Sequence, residues 1–247
     1  YSIFRVLKDE YGFDFKSFRY FAGHSLGEYS ALVCSESLDF SDALYLLHER
    51  GKAMQKAVPV GKGSMIAVLG MKTEEIKKLI NLRNKNEGDG VCEIANDNAE
   101  GQVILSGNKE SLDSFKNILK EKKIKSIPLK VSAPFHCSLM KPAAERLQEN
   151  LDAIDVKAPS VPVIQNVSIR PESDVCVIRA QLIKQTFSPV RWTQTIRSFE
   201  GLGIETVAEF GPGAVLCGLA KRIQTDAQHF PLGTHESFSK ALQEING

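Results

Sequence analysis

No stretch of the sequence strings together the ~18 apolar residues that a membrane-spanning helix needs, and its start does not read as a signal peptide. It has no Cys-x-x-C pair. Its five cysteines (Cys34, Cys92, Cys137, Cys176, Cys217) are scattered and odd in number, which argues against a disulfide framework and a zinc site and fits a reducing compartment. Excess charge is missing too. With 31 Lys and Arg against 30 Asp and Glu, the formal charge is +1, so no global field draws the chain to nucleic acid or to an anionic membrane, and neither is expected as a partner. Internal repeats and low-complexity segments are also absent. What remains is a folded globular chain of 247 residues, 43% hydrophobic, enough for one large domain or one domain with an insert. It opens on Tyr1 inside a helical pattern, YSIFRVLKDEYG, and the expectation is that sequence upstream belongs to the same protein.

The apolar pattern alternates between strand and helix periods. FRYFAG (18–23) reads as a buried strand, SLGEYSALVCSES as a helix directly after it, and DFSDALYLLHERGKAMQKA (39–57) as an amphipathic helix ended by Pro59 and Gly61. From Ser64 the order becomes β-α-β-β-α-β, the signature of a ferredoxin-like module, here inserted over residues 62–130. The body, residues 1–61 and 131–247, then resumes. It has helices over 138–154, 174–187 and 213–224, a further helix from Trp192, and strands over 161–167 and 204–211. That alternation predicts an α/β body with a mostly parallel sheet flanked by helices.

Ser25 lies between the expected strand and helix as Gly23-His24-Ser25-Leu26-Gly27. A strand, then G-x-S-x-G, then a helix is the context of a nucleophile elbow, in which both glycines are expected to relieve backbone crowding. The amide of Leu26 and the positive end of the helix dipole would face an oxyanion there. A serine N-cap is the alternative. A serine nucleophile needs a base. Of five histidines, His24 belongs to the turn with its side chain directed away from Ser25, His48 falls in a charged helix, and His229 and His235 lie in a polar tail. His136 follows a strand and an Ala-Pro turn and precedes a helix, where α/β sites assemble, although a structural histidine suits that position equally.

Six blocks, GHSLGEYSAL, HERGKAMQ, SAPFHCSLMKPA, QNVS, KQTFSPVRW and EFGPGAVLCGLAKR, occur in the order and near the spacings of the malonyl-CoA:acyl carrier protein transacylases of type II fatty acid synthesis. The sequence resembles that family from its first helix to about residue 223. The resemblance implies a hydrolase-like body and an S-malonyltransferase that passes malonyl from malonyl-CoA to the pantetheine thiol of acyl carrier protein. It implies Ser25 as the acylated residue, His136 as general base, and the backbone carbonyl of Gln185 as the group orienting His136, with Asn166 in support and no triad carboxylate. Arg50 would grip the malonyl carboxylate with its planar fork, although the pattern alone suits a solvated helix arginine. Met54 and Phe135 would line the acyl pocket, or equally pack the core, and His24 is placed with the substrate-binding residues.

The resemblance further implies no cofactor, a monomer, and a cytoplasmic location of bacterial type, with an organelle as the alternative. The family's second oxyanion donor, a glutamine amide in a Gly-Gln-Gly block, does not occur in the sequence. Either a longer protein supplies it together with the first strand of the sheet, or the hole is incomplete. The basic run KNILKEKKIKSIPLK (116–130) could steer an acidic carrier protein, or serve only as a solvated face. Two rivals stand beside this reading. A serine hydrolase of the same elbow would run Ser, acid, His with the histidine near the end, whereas 111 residues follow His136. A non-catalytic scaffold is the other.

Overall fold

A computed structural model describes residues 1–87, 90–223 and 225–246. Gly88 and Asp89 of the expected insert, Gln224 at the end of the helix expected over 213–224, and Gly247 lie outside the described residues. In chain order the elements are α1 (Ser2–Asp9), β1 (Phe21–Ala22), α2 (Leu26–Cys34), α3 (Phe40–Ala57), β2 (Gly63–Leu69), α4 (Thr73–Glu87), β3 (Cys92–Ala99) and β4 (Gln102–Asn108). They continue with α5 (Lys109–Glu121), β5 (Lys125–Pro128), α6 (Lys141–Asp152), β6 (Val163–Ile164), β7 (Pro171–Glu172), α7 (Val175–Gln185), α8 (Trp192–Gly201), β8 (Thr206–Glu209), α9 (Val215–Ile223), β9 (Gln228–Pro231) and α10 (His235–Asn246). The fold is mixed α/β.

Strands β2 to β5 form one antiparallel sheet in the order β3-β4-β2-β5, with the hairpin β3-β4 paired from Cys92↔Gly107 to Ala99↔Gln102 and its register shifted between Ile94 and Asn96 and between Asp97 and Ala99. One face packs on the apolar stripes of α4 and α5, where Ile76, Leu112, Phe115 and Leu119 meet Ile66, Val68, Val103 and Leu105. The other face turns Met65, Ala67, Ala95 and Ile104 toward Phe135 and Leu129.

The remaining strands are shorter than the apolar runs suggest. β1 pairs parallel with β6, β6 antiparallel with β7, and β8 parallel with β9, so the mostly parallel sheet expected of the body is two short sheets among the described residues. Gln165 N–H carries the pairing with β7 one step further by donating to the Arg170 carbonyl, and β6 ends there because the Asn166 N–H turns to the carboxyl of Glu28. Between β1 and β8 lies a cavity of about 480 Å³ whose lining includes Phe21, Ala22, Val207, Ala208, Trp192 and Phe199, a gap wider than the ~4.8 Å of paired strands.

Helices α2, α3, α6 and α7 enclose the main core, in which Tyr29, Leu32, Leu46, Leu147, Ile178 and Leu182 are buried. α2 is apolar around most of its circumference because it threads this core directly below the elbow. The segment read as a polar tail is ordered instead. His229 lies in β9 beside the buried Phe230, and α10 follows, since Phe230, Leu232 and Ala241 make a small apolar cluster of their own. No helix among the described residues is long and apolar enough to cross a membrane.

Candidate active site

Ser25 stands between β1 and α2 at φ 51° and ψ −105°, a region that residues with a side chain rarely adopt. It occupies the N-cap position of α2 without capping it, because its hydroxyl points elsewhere. Gly23 makes the turn possible: a Cβ there would lie 2.0 Å from the carbonyl carbon and oxygen of Gly27. Gly27 differs from the expectation, for a Cβ on it meets nothing within 4 Å. Only the first glycine answers a close backbone approach. Leu26 opens α2, so its amide is among the N–H groups that a helix leaves without intrahelical acceptors.

The Ser25 hydroxyl lies 2.8 Å from Nε2 of His136. Nδ1 of the same ring lies 2.9 Å from the carbonyl oxygen of Gln185, which fixes the tautomer. Since a carbonyl can only accept, Nδ1 carries the hydrogen and Nε2 presents its lone pair to the serine O–H. His136 itself sits at φ 58°, between the Pro134 turn and α6. Burial, with the positive charge of Arg50 next in weight, lowers its pKa from 6.5 to about 3, so the imidazole is neutral and can take a proton from the hydroxyl.

Asn166 joins this pair through the backbone. Its Oδ1 accepts from the Ser25 amide at 2.7 Å and its Nδ2 donates to the Gly23 carbonyl at 2.6 Å. Arg50, on α3, is only 8% exposed despite its charge. Its guanidinium donates to the side-chain oxygen of Gln185 at 3.1 Å and stands 5.7 Å from the centroid of the Tyr29 ring. Its Nε has no hydrogen-bond partner among the described residues, leaving a buried donor for an anion. The pattern reading of a solvated arginine is therefore corrected, because α3 presents this position to the core rather than to water.

Met54, one turn beyond Arg50, is 2% exposed and packs with Val58, Met140 and Ala143. Half-buried Phe135 bridges that cluster and the free face of the four-stranded sheet. The ring of His24 turns away from the serine hydroxyl and lines the cavity between β1 and β8. There its Nε2 lies 2.8 Å from Oδ1 of Asn98, and its ring meets Trp192 edge-on at 5.4 Å.

Sequence reasoning missed Glu28. It is fully buried in the first turn of α2, where its Oε2 accepts from the Asn166 amide at 3.0 Å and from the side chain of Gln185 at 2.9 Å. Burial pushes this carboxyl up to about 7, against the pull of the Gln185 and Asn166 donors and the charge of Arg50. The signal was available: one carboxylate inside an otherwise apolar helix, three residues after the serine. Among the described residues no three His, Cys, Asp or Glu side chains form a group that could hold a metal ion.

A serine on an elbow, paired with a neutral histidine and flanked by a buried cation, is an arrangement that can transfer acyl groups, and a family model for the acyl transferase domain matches residues 16–231. The chain is 44% identical over 225 residues to the malonyl CoA-acyl carrier protein transacylase of Haemophilus influenzae, spanning 91% of this chain and 71% of that one. It superposes on the malonyl CoA-acyl carrier protein transacylase of Coxiella burnetii with a TM-score of 0.91 and 39% identity, over 100% of this chain and 76% of the other. A malonyl-transacylase solved in complex with a type II PKS acyl-carrier protein gives 0.91 and 38%, over 98% and 77%. The chain belongs to this acyltransferase family, the malonyl CoA-acyl carrier protein transacylases.

Proposed function

We propose that the protein moves the malonyl group of malonyl-CoA to the pantetheine thiol of acyl carrier protein through a malonyl ester on Ser25, supplying malonyl units for fatty acid synthesis. The observation that carries the reading is the 2.8 Å contact between the Ser25 hydroxyl and His136 Nε2, with the Arg50 guanidinium buried beside it. His136 takes the hydroxyl proton as Ser25 Oγ attacks the thioester carbonyl, and the Leu26 amide faces the oxyanion that forms. Collapse breaks the C–S bond, and His136 returns the proton to the departing CoA thiolate. The pantetheine thiol then attacks the ester by the same steps in reverse. CoA and the carrier's phosphopantetheine enter as substrates, so the chemistry asks for no cofactor.

Arg50 binds the distal carboxylate, which replaces the Gln185 side-chain oxygen as its partner. That ion pair offsets the positive charge that depresses His136, so the imidazole is a better base with malonyl bound than without it. In this reading Phe135 lines the acyl pocket, with Met54 of the same apolar cluster beside it. The strand order β3-β4-β2-β5 supports reading residues 62–130 as a ferredoxin-like subdomain inserted in a hydrolase-like body of residues 1–61 and 131–247. The exposed Lys122 and Lys123, after α5, lie in the basic run that would meet an acidic carrier protein. The reading places the enzyme in the cytoplasm as a monomer.

Incubation with radiolabelled malonyl-CoA followed by denaturing electrophoresis tests the reading. Wild type retains a stable label and Ser25→Ala takes none. Turnover without retained label would point to a hydrolase, and no label on wild type would leave only a scaffold.

A further inference from the structure

The backbone of Ser25 is held from both sides in a strained conformation. Its amide is taken by Asn166 Oδ1 at 2.7 Å, and its carbonyl accepts from Gln185 Nε2 at 3.1 Å as well as from the Glu28 amide. The two side chains that do this, from the β6–β7 connection and the last residue of α7, share one anchor. Oε2 of Glu28 receives both the Asn166 amide and Gln185 Nε2. Gln185 also carries the carbonyl that orients His136, and its side-chain oxygen meets Arg50. Serine, histidine and guanidinium are thus tied through one carboxyl oxygen.

We propose that Glu28 is a positioning residue of the acyl transfer, its buried Oε2 holding Asn166 and Gln185 so that the Ser25 hydroxyl and the His136 ring stay in line. The role rests on the malonyl-transfer reading for the reaction it serves. Glu28 touches neither the serine hydroxyl nor the imidazole and acts through two intermediaries. A surface role is out, since the residue is 0% exposed. A capping role is out too, because the side chain reaches across to two other segments instead of back to the Ser25 amide, which Asn166 holds.

Shape and charge can be separated by substitution. Glu28→Gln keeps one oxygen able to accept both donors and directs its amide group to the place of Oε1, which has no partner among the described residues. Glu28→Ala removes the anchor. The test measures the rate of serine malonylation per active site, counted by burst titration, so that a smaller folded fraction does not register as slower chemistry.

The expectation is a per-site rate about tenfold or more lower in Glu28→Ala, KM for malonyl-CoA within about threefold, and recovery in Glu28→Gln to within about threefold of wild type. An unchanged per-site rate in Glu28→Ala, or a Gln variant no faster than Ala, overturns the proposal. If Glu28→Ala does not fold, Glu28→Asp decides. One methylene shorter, it cannot reach both donors, so a tenfold fall with an unaltered circular dichroism spectrum supports the role and a wild-type rate refutes it. Failure of wild type itself to acquire malonyl would instead strike the functional reading beneath.

Discussion

Ser25 and His136 both sit at positive φ, 51° and 58°, where a side chain costs about 1–3 kcal/mol of backbone strain. Such positions persist only where neighbours over-determine them, and at Ser25 the amide and the carbonyl are each held by a side chain. In the proposed reaction the planar fork of Arg50 selects malonyl by shape as well as charge. Arg50→Lys should lower kcat/KM for malonyl-CoA by about 10- to 100-fold, while uncharged acyl-CoA substrates become relatively better; unchanged malonyl kinetics would remove the clamp. Stability carries a second signature. His136 has a folded pKa of about 3 against an ordinary 6.5, so below 6.5 the unfolded chain binds a proton here that the folded chain refuses. Its contribution is present above pH 6.5 and is lost as pH falls toward 3. Urea denaturation should therefore find wild type losing about 2 kcal/mol more than His136→Gln between about pH 6.5 and 5. At this scale the sequence made Ser25 and His136 nameable because each sits in a motif. Glu28 belongs to no motif of that kind: its place as the one carboxylate of an apolar helix hints at burial, but its partners Asn166 and Gln185 lie 138 and 157 positions away.

The elbow is where element and residue meet. Gly23→Ala drives a methyl into the rigid Gly27 carbonyl and should lose about 3 kcal/mol of stability or fail to fold. Gly27→Ala opens onto free space within a helix and should hold or gain up to ~1 kcal/mol. Equal losses in both, read from thermal or urea unfolding, would contradict the packing account. Charge reversal of Lys122 and Lys123 should raise KM for carrier protein more than KM for malonyl-CoA, and equal effects would remove that docking face. Long amphipathic helices were the most legible elements: α3 was expected over 39–57 and spans Phe40–Ala57. Short strands were not. β6 pairs over two residues because Asn166 gives its amide to Glu28, a choice made by a residue 138 positions away.

Across the whole molecule, the four-stranded sheet supports the elbow from outside it. Asp97 and Val190 join β3 to the chain before α8 through backbone bonds, Asn98 meets His24, and Glu93 accepts from the amide and hydroxyl of Ser138 at 2.8 and 2.6 Å. Ser138 lies two residues after His136, so Glu93→Ala should loosen that loop and lower kcat about 5- to 20-fold with KM for malonyl-CoA little changed. A wild-type kcat would show the loop to be held by other contacts. The order of strands and helices made the mixed α/β fold readable. The contacts between the four-stranded sheet and the elbow were not, because they join residues far apart in sequence whose types, Asn, Asp and Glu, are equally at home on a surface. The same holds for the gap between β1 and β8, which no local pattern announces.

The central claim is that one hydroxyl, at position 25, carries the acyl group between two thiols. Brief mixing with malonyl-CoA, quenching and peptide mass mapping tests it most directly. The account predicts a single malonyl adduct on the peptide containing Ser25, discharged when a pantetheine thiol is added. An adduct on another residue, or one that water removes as fast as the thiol does, would contradict it.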